Sequence, residues 1–393
     1  METLHQAIEA ATLQAHNIPE TSRVLLLNAA TKLVSALQTP EDAIYRVAYS
    51  PMQFMAMRTL HSLGVFKQIV EKESVTSTEL SETTAADKVL LERLLRVMIA
   101  AGVVVESGIS TYSPNAQTRS VSERKMGGMV EAIFDGQTKP MAGLPEYLEK
   151  TGYKNPLDPQ DGPFQYGHNA PGESFFEFLS KRPKIMNSYS TFFEASRGSR
   201  PDWIDWFPVQ EKLLDDASKP VTKDDILLID VAGNRGHDLM AFKNKFSSKY
   251  PGRYVLFDQP HIIEDQTLDL GEDVEKKAFD FFKDPVLPDA RLYYMKFILH
   301  DWDDDNCLTI LNNVTSVMKK GFSNLIIEDF IIPMTGCKWM PAMFDLQMMI
   351  SCASMERNEA QWMHLLDAAG LEIEGFYPPP GDGTGIIVTK LKE

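Results

Sequence analysis

A histidine in the C-terminal half of the chain is the residue best suited to accept a proton. His300 comes directly after Leu292–Leu299, an apolar run with the composition of a buried strand, and Asp301 follows it. Ligands of parallel sheets bind at the carboxyl ends of the strands, so this imidazole is expected beside such a crevice. A neutral imidazole takes a phenolic proton near pH 7. The sequence therefore predicts a general base at His300, with a structural or helix-capping histidine as the alternative.

Acidic residues that could orient His300 occur at two later points of the chain. Glu328 and Asp329 end the next apolar run, and Glu356 follows a methionine-rich stretch. A carboxylate within hydrogen-bond reach of an imidazole can fix its orientation. Residues 303–305 are three further aspartates, which we interpret as favourable charges at the N-terminus of a helix.

A glycine turn predicts a cofactor site. Residues 226–238 have the pattern of a buried parallel strand, a turn with Gly233 and Gly236, and the start of a helix. Glycines allow the backbone to approach a ligand because no Cβ intervenes. The next apolar run ends at Asp258, where a carboxylate can accept hydrogen bonds from both ribose hydroxyls. The pattern favours an adenosine-type cofactor over the alternative, an ordinary strand-to-helix turn.

The composition of this turn also indicates which kind of cofactor binds. Only two glycines lie between Asp230 and His237, and Ala232 occupies the place where a third would be usual. This pattern weakens the case for a pyrophosphate. A cofactor without phosphate, such as S-adenosylmethionine, suits the turn better.

The order of elements predicts an α/β fold. From residue 226 onward, strands are expected near residues 226, 254, 292, 324 and 385, and helices near residues 237, 305 and 358. Such alternation is typical of a Rossmann-like parallel sheet with helices on both faces and a ligand at the carboxyl ends of its strands. The turn Gly381–Gly383 predicts a closing antiparallel hairpin before the last strand.

The N-terminal part of the chain predicts helices followed by a winged helix. Helical periodicity extends from residue 1 to about residue 48, and a further helix is expected from Pro51 to Val70. Residues 76–79 have the spacing of a capping box, and a longer helix is expected from Asp87 to Ala101. Residues 103–112 fit a small hairpin. The order helix, helix, hairpin is that of a winged helix.

Charge argues against a nucleic-acid or membrane partner. The chain has 55 Asp and Glu residues against 39 Lys and Arg, a formal net charge of -16, and acids also outnumber bases within the winged helix. Such a surface repels phosphate backbones and anionic lipids. We therefore expect the winged helix to be a dimerisation module of a homodimer rather than a DNA reader, and the substrate to be a small molecule.

The cysteine content and the lack of long apolar segments indicate the cellular compartment of the protein. The three cysteines, Cys307, Cys337 and Cys352, are too few and too scattered for a disulfide framework or a zinc cluster, so no metal is expected. The N-terminus has no basic region before an apolar core, and no stretch approaches the length of a membrane span. The expectation is a cytoplasmic protein.

Aromatic residues are concentrated between residues 120 and 215, where they form either core or the roof of a substrate pocket. Together with the patterns above, this predicts three parts. Residues 1–120 would be a helical and winged-helix dimerisation domain, residues 121–215 a helical linker and pocket region, and residues 216–393 a Rossmann-like catalytic domain that binds S-adenosylmethionine.

Four motifs resemble those of the small-molecule O-methyltransferases of plants and fungi. They are Asp230-Val231-Ala232-Gly233, Phe257-Asp258-Gln259-Pro260-His261-Ile262-Ile263, His300-Asp301-Trp302 and Met355-Glu356-Arg357-Asn358-Glu359. The resemblance covers essentially the whole chain and implies a class I methyltransferase fold behind a winged-helix dimerisation domain. The S-adenosylmethionine-binding residues would be Asp230, Ala232, Gly233, Gly236 and Asp258. The catalytic residues would be the base His300 with Asp301, Glu328 and Glu356 beside it.

The chain also resembles the O-methyltransferase-like pericyclases of fungal 2-pyridone alkaloid pathways. That resemblance implies dehydration of a pyridone alcohol to a quinone methide and control of its Alder-ene or hetero-Diels-Alder closure. Three features favour this branch: the extra methyl group of Ala232, an ammonium donor at Lys338, and a methionine-rich wall suited to a bulky polyketide tail. A well-aimed donor contributes about 3 to 4 kcal/mol to such a reaction.

The competing functions assign different roles to these residues. In the pericyclase hypothesis, which we take first, Lys338 is the donor, His300 helps to remove the leaving hydroxyl, and S-adenosylmethionine is bound without methyl transfer or is absent. In the O-methyltransferase alternative, His300 deprotonates a phenolic or enolic secondary metabolite, and the retention of Glu328 and Glu356 favours this function. Lys338 is then an exposed loop lysine. A dimeric partner that only holds a cofactor is a third class.

Overall fold

Helices and one small sheet make up the N-terminal unit, Met1–Val130. Over the whole chain the structure, a computed structural model, describes residues 2–14, 18, 20–195, 200–216, 218, 220–265 and 268–393. The helices of this unit are α1 (Glu2–Gln14), α2 (Glu20–Leu37), α3 (Pro40–Ser62), α4 (Val65–Lys72), α5 (Ser77–Thr84), α6 (Lys88–Ala100) and α7 (Ala116–Ser122). Its strands are β1 (Val75–Thr76), β2 (Val105–Gly108) and β3 (Thr111–Ser113), which pair antiparallel in the order β1-β3-β2.

The predicted order of helix, helix and hairpin is present in this unit. The Thr76 hydroxyl accepts a hydrogen bond from the Glu79 N–H at 3.2 Å, and the Glu79 carboxylate accepts one from the Thr76 N–H at 2.8 Å. The predicted capping box is therefore confirmed. The helix expected from Pro51 to Val70 is instead two helices, because Gly64 adopts a left-handed conformation with φ of +68° between α3 and α4.

Apolar side chains are exposed along the first three helices. They include Leu25, Leu26, Leu27, Leu37, Ile44, Tyr45 and Val47. In contrast, α6 buries Leu91, Leu95 and Met98 in the core of this unit. A single chain thus leaves an apolar surface on α2 and on the start of α3.

A seven-stranded sheet is the centre of the C-terminal unit, Glu131–Glu393. Its strands are β4 (Ile226–Val231), β5 (Arg253–Asp258), β6 (Val274–Ala278), β7 (Leu292–Lys296), β8 (Asn324–Asp329), β9 (Leu371–Tyr377) and β10 (Gly385–Leu391). The spatial order is β6-β5-β4-β7-β8-β10-β9. The first five are parallel, and β10 runs antiparallel to both of its neighbours.

Helices precede this sheet in the chain and connect several of its strands. They are α8 (Arg124–Lys150, which begins in the N-terminal unit), α9 (Pro163–His168), α10 (Phe175–Ser180), α11 (Pro183–Ala195), α12 (Trp203–Trp206), α13 (His237–Phe246), α14 (Pro260–Ile263), α15 (Asp304–Thr315), α16 (Trp339–Cys352) and α17 (Glu359–Ala368). Buried apolar side chains form one cluster on each face of the sheet. Because both faces are covered, every residue of β4 and β8 is buried.

The predicted strands near residues 226, 254, 292, 324 and 385 are confirmed as β4, β5, β7, β8 and β10, and the closing hairpin is β9 with β10. The edge strand β6 and the apolar helix α16 are not in the prediction. From β4 the chain builds β5 and β6 on one side and then crosses to β7 on the other. A crevice therefore lies at the carboxyl ends of β4 and β7, where the glycine turn and His300 follow their strands. Among the described residues, no helix is both long and apolar enough to span a membrane.

Candidate active site

His300 lies in a short 3-10 turn, Leu299–Asp301, directly after β7. The residue is 5% exposed. Its Nδ1 lies 2.7 Å from Glu356 Oε1 and 3.5 Å from Asp329 Oδ1, and its Nε2 lies 3.7 Å from Asp301 Oδ1. The structure thus brings together the predicted residues His300, Asp301 and Glu356 and, of the two candidate acids at the end of the next strand, Asp329.

The resemblance predicts Glu328 beside His300, but the structure puts this carboxylate elsewhere. Consecutive residues of a strand point to opposite faces of the sheet, so Glu328 and Asp329 diverge at the end of β8. The Glu328 carboxylate accepts hydrogen bonds from the Thr384 hydroxyl at 2.6 Å and from the Tyr294 hydroxyl. Asp329 is therefore the residue of this strand that reaches the imidazole.

Three carboxyl groups, those of the buried Glu356 and Asp329 and that of the partly buried Asp301, surround the imidazole and decide its charge. Burial alone would lower the pKa of His300, but Glu356, Asp329 and Asp301 outweigh it and raise that pKa to about 10. Burial raises the pKa of Asp301 to about 6 and that of Asp329 well above its usual range, with the His300 charge opposing both. An imidazolium paired with Glu356 is the favoured form of the free protein at neutral pH.

Buried carboxylates and a histidine could also hold a metal ion. His300, Asp329 and Glu356 each offer one ligand atom within 4.8 Å of the others. Both Asp329 oxygens and Glu356 Oε2 are buried without a hydrogen-bond partner in the described part of the chain. The Nδ1 of His300, however, is already bonded to Glu356, and a cation there would have to break that bond. The set is better suited to holding a proton.

Phenylalanine rings form a wall next to the imidazole. Phe297 stacks on His300 with ring centroids 5.1 Å apart and planes 19° apart. Phe344 stacks on Phe297 at 6.0 Å, and Phe330 contacts Phe344 at 4.9 Å. Phe297 has φ of +52°, a strained conformation for a bulky residue that recurs at functional sites. The strained turn directs an aromatic ring onto the base.

A small cavity lies beside this wall. It is lined by Arg200, Lys296, Phe297, Glu328, Phe330, Met340 and Thr384. The Nζ of Lys296 lies 2.9 and 3.0 Å from the Asp238 oxygens and 3.4 Å from Glu328 Oε1. Lys296 is absent from the predicted site, although its position as the last residue of a strand four places before His300 is a usable signal.

Lys338 lies at the surface and does not belong to the residues that line this cavity. It is exposed, directly precedes α16, and donates a hydrogen bond from Nζ to the Gly381 carbonyl in the turn between β9 and β10. The structure therefore agrees with the alternative for this residue, an exposed lysine. The predicted methionine wall is also only partly present, since Met340 lines the cavity whereas Met334 is 79% exposed.

The aromatic residues between positions 164 and 207 pack mainly in the core. Trp203 is 2% exposed and stacks on Tyr294 of β7 at 5.3 Å, and Phe164 is completely buried. Phe176 lies 6.0 Å from Trp302, directly after the turn that carries His300. The core interpretation thus fits Trp203 and Phe164, while Phe176 approaches the site.

The turn after β4 has the backbone that a ligand-binding loop needs. Ala232, Asn234 and Gly236 have φ of +58°, +52° and +69°. A Cβ at Gly233 would lie 2.3 Å from the Asp230 carboxyl group, so this position requires glycine. The loop therefore rests directly on the buried side chain of Asp230.

Two acids support this loop in different ways. Asp258 accepts hydrogen bonds from the backbone N–H groups of Asn234 and Gln259, each at 2.7 Å, and a carboxylate has further lone pairs for a ligand. Asp230 is 2% exposed, and burial together with the nearby Asp238 raises its pKa well above the usual range. Asp258 can accept hydrogen bonds from a ligand, whereas the buried Asp230 side chain supports the turn by packing against Gly233.

Comparison with known proteins identifies the family. Residues 216–372 match the model of the O-methyltransferase domain. The methyltransferase cfoC of Aspergillus candidus is 34% identical over 94% of this chain and 91% of its own length. The O-methyltransferase asqD of Emericella nidulans is 32% identical over 87% of both chains. The chain belongs to the O-methyltransferase family.

Solved structures confirm the predicted fold. LepI in complex with SAM superposes with a TM-score of 0.89 at 24% identity, over 100% of this chain and 99% of that one. A protein described as a pericyclic reaction enzyme gives the same score and identity over 100% of both chains. OxaC in complex with sinefungin and meleagrin gives 0.83 at 26% identity over 100% and 98%. The fold is the class I Rossmann-like methyltransferase fold with a helical N-terminal region.

The electrostatics of the site predict how the His300 imidazole titrates. Glu356→Gln removes the carboxylate nearest to Nδ1 while keeping a side chain of similar size, so the pKa of His300 should fall by at least about one unit. Titration of histidine-labelled protein by NMR measures this, with the His300 resonance assigned from its loss in His300→Asn. Glu359→Gln, a matched change at an exposed position three residues away, should leave the resonance unmoved. An unshifted His300 in Glu356→Gln would refute the charge assignment.

Proposed function

We propose that this protein is an S-adenosylmethionine-dependent O-methyltransferase that methylates a hydroxyl group of a secondary metabolite. The observation that carries this proposal is the buried pair of His300 and Glu356 at the carboxyl end of β7, 2.7 Å apart. O-methyl transfer requires a base that removes a hydroxyl proton. The pair lies at the carboxyl ends of the strands, where the cofactor loop after β4 also lies.

The residues around the glycine turn fit S-adenosylmethionine. Gly233 leaves no Cβ against the loop, and Asn234 Oδ1 is buried without a hydrogen-bond partner among the described residues. Asp258 is suited to the ribose hydroxyls, and Lys296 lines the adjoining cavity. Asp230, Ala232 and Gly236 would shape the turn that holds the cofactor. When bound, S-adenosylmethionine supplies an electrophilic methyl group.

The buried pair would act on the acceptor as follows. The Nδ1–H of His300 donates to Glu356. Nε2 accepts the hydroxyl proton once the imidazolium of the free protein has lost its Nε2 proton to solvent, so the neutral imidazole is the reactive form. Glu356 and Asp329 then stabilise the imidazolium. Because these acids raise the pKa of His300 to about 10, and a phenol also titrates near about 10, proton transfer between them is nearly balanced in energy. Asp301 adds negative charge on the Nε2 side of the ring.

The substrate proposed is a small, largely apolar molecule of the polyketide-derived kind. The wall of Phe297, Phe330 and Met340 suits a planar or alkyl-bearing skeleton. The curated relatives support this class, because one that is 30% identical over 84% of this chain is the demethylsterigmatocystin 6-O-methyltransferase of Aspergillus flavus. OxaC has been solved with meleagrin and with oxaline.

The pericyclase hypothesis becomes the second candidate. It keeps two of its three supporting features, the methyl group of Ala232 in the cofactor loop and an apolar cavity wall that includes Met340. Its proposed donor, Lys338, is exposed and bonded to Gly381. Likeness to LepI at 24% identity concerns the fold alone. The intact pair of His300 and Glu356 therefore favours methyl transfer.

We also propose a cytosolic protein that takes no nucleic-acid partner. The cysteines are free thiols, two of them buried, which supports a reducing compartment. The net charge of -16 opposes binding to nucleic acid.

The function is tested with S-adenosylmethionine, a panel of fungal phenolic polyketides, and a hydroxylated 2-pyridone. Stoichiometric S-adenosylhomocysteine and a methyl ether are the expected products. His300→Asn should lower the rate by about a hundredfold to ten-thousandfold, because the general base is lost. His364→Asn, an exposed histidine on α17, is the control and should retain the wild-type rate. A single cyclised pyridone formed without S-adenosylhomocysteine would instead establish the pericyclase.

We propose a homodimer formed through the first three helices, since their exposed leucines need a cover that a single chain does not provide. Light scattering should give twice the chain mass of 44.3 kDa. A double variant, Leu26→Glu with Leu37→Glu, should shift the protein to monomer. Ile109→Glu changes a 98% exposed side chain at the hairpin tip and should remain dimeric. A monomeric wild type would contradict this assembly.

A further inference from the structure

A buried arginine next in sequence to Glu356 holds the turn that carries His300. Arg357 is 2% exposed. Its Nη1 donates to the Leu299 carbonyl at 2.8 Å, and its Nη2 donates to the Trp302 carbonyl at 2.9 Å. These two carbonyls flank His300 on either side. A single guanidinium thus ties together both ends of the turn.

The same guanidinium also fixes the start of the following helix. Arg357 Nε and Nη2 donate to Asp304 Oδ1 at 3.1 and 2.7 Å, and Asp304 is the first residue of α15. Its planar group lies 5.5 Å from the centroid of the Trp362 ring. Arginine has five donors in a rigid fork, and here they serve two carbonyls and one carboxylate at once. A lysine carries the charge but has no fork.

Arg357 and its neighbours hold the base from two sides. Glu356 fixes the imidazole through Nδ1, while Arg357 fixes the backbone of the turn. Ser354 adds a hydrogen bond from its hydroxyl to the Trp302 carbonyl at 3.0 Å. The backbone of Arg357 is itself tied to the chain just after β8, because the Ile332 N–H donates to the Arg357 carbonyl at 3.0 Å. The orientation of the His300 ring and the position of its turn therefore depend on two consecutive residues, Glu356 and Arg357.

We propose that Arg357 is a positioning residue for the base: it acts through the turn Leu299–Trp302 and sets where His300 meets the acceptor hydroxyl. This inference rests on the proposed function, because it concerns methyl transfer by His300. A displacement of the base by about 1 Å is enough to lower a rate by about a hundredfold. Among the described residues, the side-chain hydrogen bonds of Arg357 go to Leu299, Trp302, Asp304 and Cys307 and not to the cofactor loop after β4, so its effect should fall on the chemical step.

The chain contains a matched control for a buried arginine. Arg291 is also 2% exposed and also donates to backbone carbonyls, those of Leu213 and Phe322. It precedes β7, whereas His300 follows that strand. Arg291 therefore lies at the amino end of the strand, away from the site. Its replacement should disturb packing as much as replacement of Arg357 without moving the base.

The test compares Arg357→Lys with Arg291→Lys in the full-length protein. Both should lose thermal stability to a similar degree. In Arg357→Lys, kcat for S-adenosylhomocysteine formation should fall at least tenfold, while the acceptor KM and the Kd for S-adenosylmethionine stay within threefold of wild type. Arg291→Lys should keep kcat within twofold. An equal loss of kcat in the two variants would overturn the proposal.

A milder pair decides the matter if Arg357→Lys does not fold. Asp304→Asn weakens the grip on Arg357 from a side chain that is 63% exposed, and Asp305→Asn makes the same change one residue later in solvent. A kcat at least threefold lower in Asp304→Asn than in Asp305→Asn supports the proposal, and equal values overturn it.

Amide hydrogen exchange separates this proposal from the proposed function. Residues 298–304 should exchange faster in Arg357→Lys than in Arg291→Lys, whether or not the wild type methylates any acceptor tested. Absence of S-adenosylhomocysteine from the wild type would count against methyl transfer alone. Unchanged exchange in residues 298–304 would show that Arg357 does not hold the turn.

Discussion

The site depends on how the fold keeps one imidazole and three carboxyl groups together out of water. His300, Asp301, Asp329 and Glu356 could not all be buried in isolation, because unpaired charges are strongly disfavoured in a protein interior. The imidazolium offsets part of the negative charge, and the raised pKa of Asp329 reduces it further. The resulting imidazole is a strong base in a site with little exposure to water. The basicity of His300 depends on where β7 and β8 end, because those positions bring the acids to the imidazole.

The topology of the sheet gives this cluster its partner site. β4 and β7 are adjacent although β5 and β6 separate them in sequence, so the loops after these two strands lie next to each other at the carboxyl ends of the strands. One loop turns through three residues with positive φ above Asp230, and the other directs Phe297 onto the base with the same kind of strain. Backbone strain at both strand ends is sustained by the buried sheet below them.

The sequence predicted the fold, and it predicted most of the residues that the structure gathers at the candidate site, because local patterns carry that information. Apolar runs ending in Asp258 or followed by His300 define strand ends, and strand ends define the crevice. It did not separate Glu328 from Asp329, since the direction of a side chain depends on the register of β8 in the sheet. Lys338 shows a different limit. Closeness in sequence to residues of the pocket wall does not determine whether a side chain faces the pocket or the solvent. The role we assign to Arg357 depends on contacts with residues more than 50 positions away.

Methyl transfer and pericyclic closure make different demands on this scaffold. Closure needs a donor to a carbonyl and a shaped pocket, whereas methyl transfer needs a base beside the acceptor oxygen. The cluster around His300 meets the second demand, whereas Lys338, the donor proposed for the first, is exposed and bonded to the Gly381 carbonyl. The most direct test is a crystal structure with S-adenosylhomocysteine and an acceptor identified by turnover. The account predicts the acceptor oxygen within hydrogen-bond distance of His300 Nε2, about 2.6 to 3.2 Å. An acceptor oxygen bound to Lys338, or out of reach of His300 even through one water, would contradict it.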